Sequence, residues 1–420
     1  MDKFVIHGGR KLNGVVNVSG AKNSLLALMP ATLLSPGTYH FANAPVLRDV
    51  TTMGRLLESM GVAVKQENHL ITIDSSGVSK FEAPYEHVKK MRASIYVLGP
   101  LIARYGYAKV SLPGGCAWGP RPVNLHIEGI RKLGAEIDLD EGYIIARAKR
   151  LRGARIVFDV SSVGATGNVM MAATLAKGTT IIENAATEPE IVQLAEVLVK
   201  MGAKISGIST NRLEIEGVDA LHPTDEVTIP DRIEAGTFLV AGAMAGETVR
   251  VDHCEPSHLT ALLAKLENAG AALSVGDSWV EITAPSEIHP VDVTTGIYPG
   301  FPTDMQAQWT ALMSIAKGPS VVTDTIYFDR FKHVPELNRL GAEIEMSENT
   351  AIIKGNARLK GAKVMSTDLR ASAALILAGL VAEGTTEVLR VYHIDRGYER
   401  IEEKLKAIGA DIERIAGEEF

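Results

Sequence analysis

Cysteine is nearly missing from this chain, with two in 420 residues. A disulfide framework is therefore excluded, and the composition points to a reducing compartment. Long apolar runs are missing too. The opening MDKFVIHGGRKLNG has no hydrophobic segment of the kind a signal peptide needs, and no run of the ~18 apolar residues required to cross a bilayer follows. No excess of positive charge exists either, since 43 Lys and Arg face 50 Asp and Glu for a net charge of −7. This argues against a protein that coats nucleic acid or an anionic membrane. Aromatics make up 5%, and Trp118, Trp279 and Trp309 are too scattered for a base-stacking platform. Walker loops and G-x-S-x-G elbows are lacking, and GGR at Gly8 has no useful strand before it to make a dinucleotide motif. His253, Cys254 and His258 lack a fourth ligand, so no metal site is expected, and Cys254 reads as a partly buried residue at a strand end. The expectation is a soluble, cytoplasmic, multi-domain protein.

Glycine is plentiful, and its spacing carries the architecture. Gly61, Gly134, Gly202, Gly270, Gly341 and Gly409 follow one another at 68–73 residues, each in a signature such as MGVAV or LGAEI. Gly37, Gly106, Gly178, Gly246, Gly318 and Gly384 precede them by 23–28 residues. Twelve glycines in register imply six copies of one unit of about 70 residues. In each copy an apolar helix ends at the first glycine, a β-branched strand follows, and an amphipathic helix closes at the second glycine before two short strands. All twelve glycines read as left-handed helix ends. In DVTTMGRLLESMG, Asp49 is placed to cap, and Val50, Met53, Leu56, Leu57 and Met60 share one face. Pro30 should kink the first helix. Units this large suit two compact α/β domains of three units each, with the helices that are apolar nearly all round inside and sheets around them.

Polarity concentrates where the first helix of each copy opens. These segments read SGAKNS from Ser19, KMRAS from Lys90, SVGAT from Ser162, PDRIEAGT from Pro230, FPTDMQAQ from Phe301 and STDLRASA from Ser366. A divergent polar set on a repeated scaffold has the form of a grafted site, and helix starts suit phosphate or carboxylate. Convergence of the six would bring Lys22, Arg92, Arg232 and Arg370 to one cleft. The segment LPGGCAWGPRPVNLH, from Leu112 to His126, sits in the one enlarged connection, with Cys116 and Arg121 on a glycine-rich loop suited to a lid.

These stretches, together with ENAATEPEI, RFKHVPEL and YHIDRGYERIE, resemble the UDP-N-acetylglucosamine 1-carboxyvinyltransferases, an enolpyruvyl transferase family of the EPSP synthase superfamily, along nearly the whole chain. The resemblance implies an inside-out α/β barrel in two domains. Residues 22–229 would carry the Cys116 loop, and residues 1–21 with 230–420 would carry Asp304, Arg370 and Arg396, the active site lying in the cleft between them. It implies transfer of the enolpyruvyl group of phosphoenolpyruvate to the 3-hydroxyl of UDP-N-acetylglucosamine, with loss of phosphate, as the first committed step of peptidoglycan synthesis. These two small molecules would be the partners, with no nucleic acid, no membrane insertion and neither metal nor redox cofactor.

Site roles follow from the same resemblance. Cys116 would be the proton donor, the site of a covalent phosphoenolpyruvate adduct and the target of fosfomycin. Asp304 would take the proton of the sugar hydroxyl or hold that hydroxyl, its pKa lowered by neighbouring cations. Lys22, Asn23, Arg121 and Arg396 would bind phosphoenolpyruvate, with Lys22 and Arg396 also catalytic. Arg92, Arg121, Pro122, Val123, Asn124, Leu125, Ser162, Val163, Gly164, Asp304 and Ile326 would bind the nucleotide sugar, and Arg330, Asp368 and Arg370 would line the site. The chain departs from the family at Asn124, where Asp is usual, at the bulky Trp118 and rigid Pro120, at Phe328 in place of a carboxylate, and at Val160. Two alternatives stand beside this function: a 5-enolpyruvylshikimate-3-phosphate synthase-like transferase, disfavoured by the Cys116 loop and by AKNS in place of SKS, and a non-catalytic nucleotide-sugar-binding regulator.

Overall fold

A computed structural model of the chain describes residues 2–89, 91–112 and 123–416. The chain folds as two compact units, one of Gly20–Ile229 and one of Met1–Ser19 with Pro230–Phe420. The first crossing thus falls two residues ahead of the boundary expected at Lys22.

In the continuous unit three helical segments form the interior: Lys22–Ala31, Arg92–Val97 running into Leu98–Tyr105, and Val163–Ala173. Their sequences are apolar nearly all round, and nine of the ten residues of Lys22–Ala31 are buried. A helix with no polar face is stable only inside. Three four-stranded sheets belong to this unit, and all have the same plan. The strand after each central helix, such as Thr38–Ala42, pairs antiparallel with the second strand of the hairpin that follows, here Leu70–Asp74. On its other edge it pairs in parallel with a strand of two or three residues, such as Glu226–Val227 or Glu82–Ala83. That short fourth strand is absent from the sequence expectation of two strands after the second helix.

The discontinuous unit repeats the plan around Arg232–Ala245, Gln306–Ser314 and Leu369–Val381, helices that pack on one another. Its last sheet is completed from the far end of the chain. Lys3–His7 inserts between Thr385–Leu389 and Asp411–Ile415, antiparallel to both. Leu12–Asn17 then pairs in parallel with Gly246–Asp252. The strand Lys3–His7 also corrects the reading of Gly8: a five-residue strand does precede it, but the glycines lead to another strand and not to a helix.

The second glycine of every copy is left-handed, with φ between 91° and 105° at all six. Of the first glycines Gly246 is the exception, with φ −77° and extended backbone. Its requirement is space, because a Cβ there would lie 2.4 Å from the carbonyl oxygen of Gly242. The five apolar residues chosen from Val50 to Met60 are all fully buried. Asp49, however, is not the cap. The helix runs Arg48–Ser59 with Leu47 at its N-cap, and Asp49 is buried in the first turn because it pairs with Lys22. At Pro30 the α-helix gives way within two residues to a 3-10 turn, Thr32–Leu34. Among the described residues no helix is long and apolar enough to cross a membrane.

Candidate active site

Cys116, Arg121 and Pro122, with Trp118 and Pro120, lie outside the described residues. The remaining site residues fall on helix starts and on the turns beside them.

In the continuous unit Lys22 opens its helix and is buried, its ammonium 3.2 Å from the Asp49 carboxylate. Asn23 beside it is exposed. Arg92 begins the 3-10 segment and is half-buried. Val123, Asn124 and Leu125 run from half-buried through exposed to buried where the helix Asn124–Lys132 starts. Ser162 caps Val163–Ala173 by accepting from the Ala165 N–H at 3.3 Å. Val163 and Gly164 behind it are half-buried.

One residue that sequence reasoning passed over ties these segments together. His126 is buried, and a Cβ on Gly164 would lie 3.1 Å from its ring. Asn168 fixes the ring's tautomer. Its carbonyl oxygen accepts from the Gly99 N–H, so its amide nitrogen donates to the Ile95 carbonyl at 2.8 Å and to His126 Nδ1 at 3.0 Å. The ring proton is then on Nε2, the side facing Gly164. Burial pushes the His126 pKa down to about 4, and the Arg92 charge adds to that. The only hint in the sequence is a polar residue among the apolar positions of NLHIEGI.

In the discontinuous unit three of the charged residues, Asp304, Arg330 and Arg370, meet at one place. Asp304 lies in the 3-10 turn Thr303–Met305 that leads into Gln306–Ser314. Its Oδ1 is 2.6 Å from Arg330 Nη1 and its Oδ2 is 2.8 Å from Arg370 Nη2. Burial works to raise its pKa, but the two guanidiniums outweigh burial and hold it well below the usual carboxylate range. Its side chain keeps 25% of its surface open, against 5% for Arg370 and 9% for Arg330. Asp304 is thus an ionised oxygen acceptor at an opening, with its cations behind it.

Arg370 is aimed by a further buried group. Thr237 gives its hydroxyl proton to the Ile233 carbonyl, so the Tyr398 O–H, 2.8 Å away, must donate to Thr237. The phenol oxygen is then free to accept, from Arg370 Nη1 and from Gln308 Nε2, both at 3.2 Å. Three central helices are joined at their starts through this one phenol. Asp368, expected in the charged lining, is the N-cap of Leu369–Val381 and accepts from the Arg370 and Ala371 N–H groups at 2.9 and 3.0 Å. Arg396 ends the 3-10 segment Val391–Arg396 and is half-buried. Ile326 and Phe328 are exposed on the segment between Asp324 and Arg330, and Val160 is exposed as well. Cys254 belongs to none of this. It is buried, and burial pushes its thiol up to about 11, which makes it unreactive.

Two units built from six copies of one α/β module, with buried cations and an ionised carboxylate at the starts of their central helices, define the class by fold and charge. Comparison with known proteins makes the class specific. A sequence model of EPSP synthase (3-phosphoshikimate 1-carboxyvinyltransferase) matches residues 6–405. The UDP-N-acetylglucosamine 1-carboxyvinyltransferase of Chloroherpeton thalassium is 58% identical over 423 aligned positions, covering 100% of this chain and 99% of its own. The protein of that name from Geotalea daltonii is 52% identical, covering 99% of this chain and all of its own. Among solved structures, the enolpyruvyl transferase NikO from Streptomyces tendae superposes with a TM-score of 0.89 at 26% identity, over 98% of both chains. EPSP synthase from Acinetobacter baumannii shares the fold, with a TM-score of 0.76 at 17% identity over 99% of this chain and all of its own. The chain belongs to the EPSP synthase family and, within it, to the UDP-N-acetylglucosamine 1-carboxyvinyltransferases.

Proposed function

We propose that this protein transfers the enolpyruvyl group of phosphoenolpyruvate to the 3-hydroxyl of UDP-N-acetylglucosamine and releases phosphate. The observation that carries this reading is the end-to-end identity of 52–58% with proteins of that name. The reaction adds an alcohol across the carbon–carbon double bond of an enol phosphate and then eliminates phosphate, leaving an enol ether. A proton must reach the methylene carbon as the sugar oxygen attacks the neighbouring carbon, and one must leave the methyl group as phosphate departs. Cys116 is the proposed donor of the first proton. Asp304, made a weak base by Arg330 and Arg370, is better suited to orient the sugar hydroxyl by accepting its hydrogen bond than to remove its proton unaided. Lys22, Asn23, Arg121 and Arg396 take the phosphate and carboxylate of phosphoenolpyruvate, for which guanidinium forks have the right geometry. Arg330, Asp368 and Arg370 line the place where the intermediate forms. The nucleotide sugar is held by Arg92, Arg121, Pro122, Val123, Asn124, Leu125, Ser162, Val163 and Gly164, together with Ile326. The cytoplasm, which supplies both substrates, is the proposed location.

Phosphate release from phosphoenolpyruvate tests this, with UDP-N-acetylglucosamine or shikimate 3-phosphate as acceptor and with Cys116→Ser beside wild type. Release with the nucleotide sugar alone, abolished or stalled in the variant, is the expected result. Silence with both acceptors despite measurable sugar binding would favour a regulator that binds without turning over.

A further inference from the structure

We propose that Asp324 is a positioning residue that holds the Ile326 backbone and the Asp304 side chain in register through the two oxygens of one carboxylate. Asp324 follows the strand Ser320–Thr323 and is fully buried. Its Oδ1 accepts from the Thr295 hydroxyl at 2.8 Å and from the Ile326 and Tyr327 N–H groups at 2.9 Å each. Its Oδ2 accepts from the Thr303 hydroxyl at 2.7 Å. A carboxylate is costly to bury unless its lone pairs are met, and here four donors meet them.

The two oxygens serve different segments. Oδ1 shapes the turn that presents Ile326, and Thr295 reinforces that turn by accepting from the Thr325 N–H at 3.0 Å. Oδ2 sets a directional relay. Thr303 has one hydroxyl proton, and with that proton given to Asp324 its oxygen can only accept from Arg330 Nη1, 3.1 Å away. The same nitrogen lies 2.6 Å from Asp304 Oδ1. The order is therefore Asp324, Thr303, Arg330, Asp304, with polarity fixed at every step. Neither Asp324 nor Thr303 need touch a substrate. Nothing about ending a strand requires a buried carboxylate; coupling the Ile326 turn to the Asp304 carboxylate does.

This inference rests on the function proposed above, and the variants separate the two. Asp324→Asn keeps an oxygen for the three donors at Oδ1 and places an N–H2 group against Thr303. That takes away the acceptor of the Thr303 proton, and because the Arg330 guanidinium can only donate, the fixed order of the relay is lost. Thr303→Val removes the relay at nearly constant shape, and Thr303→Ser restores it. A hydrogen bond to a charged group carries enough energy for a loss of about tenfold or more in kcat in Asp324→Asn and Thr303→Val, with KM for UDP-N-acetylglucosamine changing by less than about threefold. Thr303→Ser should recover most of the kcat. Thr295→Val, which removes one of the three donors at the other oxygen and the acceptor of the Thr325 N–H, should raise that KM by a larger factor than it lowers kcat. Melting midpoints of each variant are taken alongside. Wild-type turnover with Asp324→Asn and Thr303→Val unimpaired overturns the positioning role alone. The same holds for a Thr303→Ser variant as slow as Thr303→Val, or for kcat losses that merely follow the melting midpoint. A wild type that releases no phosphate with the nucleotide sugar overturns the function, and this inference with it.

Discussion

Two buried histidines make this protein's stability depend on pH, and the sign follows from their surroundings. Burial, with a nearby guanidinium, pushes His126 down to about 4 and His333 down to about 3. In the unfolded chain both would titrate near the ordinary value of 6.5. Below about pH 6.5 the unfolded state takes up protons that the folded state refuses, so stability is full above that pH and is lost as pH falls toward the folded values. For His126 the loss at its folded pKa is on the order of 3 kcal/mol. Urea midpoints measured from about pH 7 down to about pH 4.5 should fall steadily, and His126→Asn should flatten the slope whatever it does to the midpoint at neutral pH. An unchanged slope would mean that His126 does not stay neutral in the fold. Asp304 moves the opposite way from a buried lone carboxylate, since Arg370 and Arg330 keep it ionised. Its low pKa was legible in FPTDMQAQ as a carboxylate at a helix start expected among cations. Which cations meet it was legible only through the family resemblance, because Arg330 reaches Asp304 from a later segment of the same copy of the repeat and Arg370 from the next copy. His126, Tyr398 and Asp324 were less legible still. The side chains that meet them, Asn168 for His126, Thr237, Gln308 and Arg370 for Tyr398, and Thr295 and Thr303 for Asp324, come from distant segments, and no spacing rule connects them.

At the scale of the element, glycine made the repeat visible because its reason for being there is geometric and recurs. The second glycine of each copy ends a helix in a conformation that L side chains adopt at a cost. Gly134 isolates that cost, with φ +91° and no atom within 4 Å of where a Cβ would sit. Gly134→Ala should therefore destabilise by roughly 1–2 kcal/mol through the backbone alone, and Gly134→Asn by less. Equal midpoints for both variants would contradict this. Gly246 is conserved in register but not in conformation, which a pattern of glycines cannot reveal: space for the Gly242 carbonyl is a tertiary requirement. In five of the six sheets the short fourth strand escaped for a different reason. Val293–Thr294 and Glu82–Ala83 are two residues long, too short to carry any alternation. Asp49 was misread because a good capping residue within a helix can be buried instead, when a cation such as Lys22 is there to meet it.

At the scale of the whole molecule, chain order and spatial order part company, and the two ends of the sequence share one sheet. Lys3–His7 occupies the place that the second hairpin strand holds in the other five sheets. In those five the two strands flanking that place are linked through a neighbour close in sequence. In this one Thr385–Leu389 and Asp411–Ile415 are joined only through the first residues of the chain. Five residues with alternating burial, Phe4 and Ile6 inward, therefore close the core of the discontinuous unit. Phe4 is fully buried in that core. Phe4→Ala should cost about 3–5 kcal/mol, because a cavity of that size in a close-packed interior relaxes only in part. The loss should also be local in a way that chain position would not suggest. Hydrogen exchange should quicken at the amides of Thr385–Leu389 and Asp411–Ile415, nearly 400 residues away in sequence. The amides of Tyr107–Ser111, in a sheet of the continuous unit, should keep their protection. A uniform loss of protection across both would mean that the two units unfold as one, and that the closing strand stabilises the entire chain and not just its own sheet.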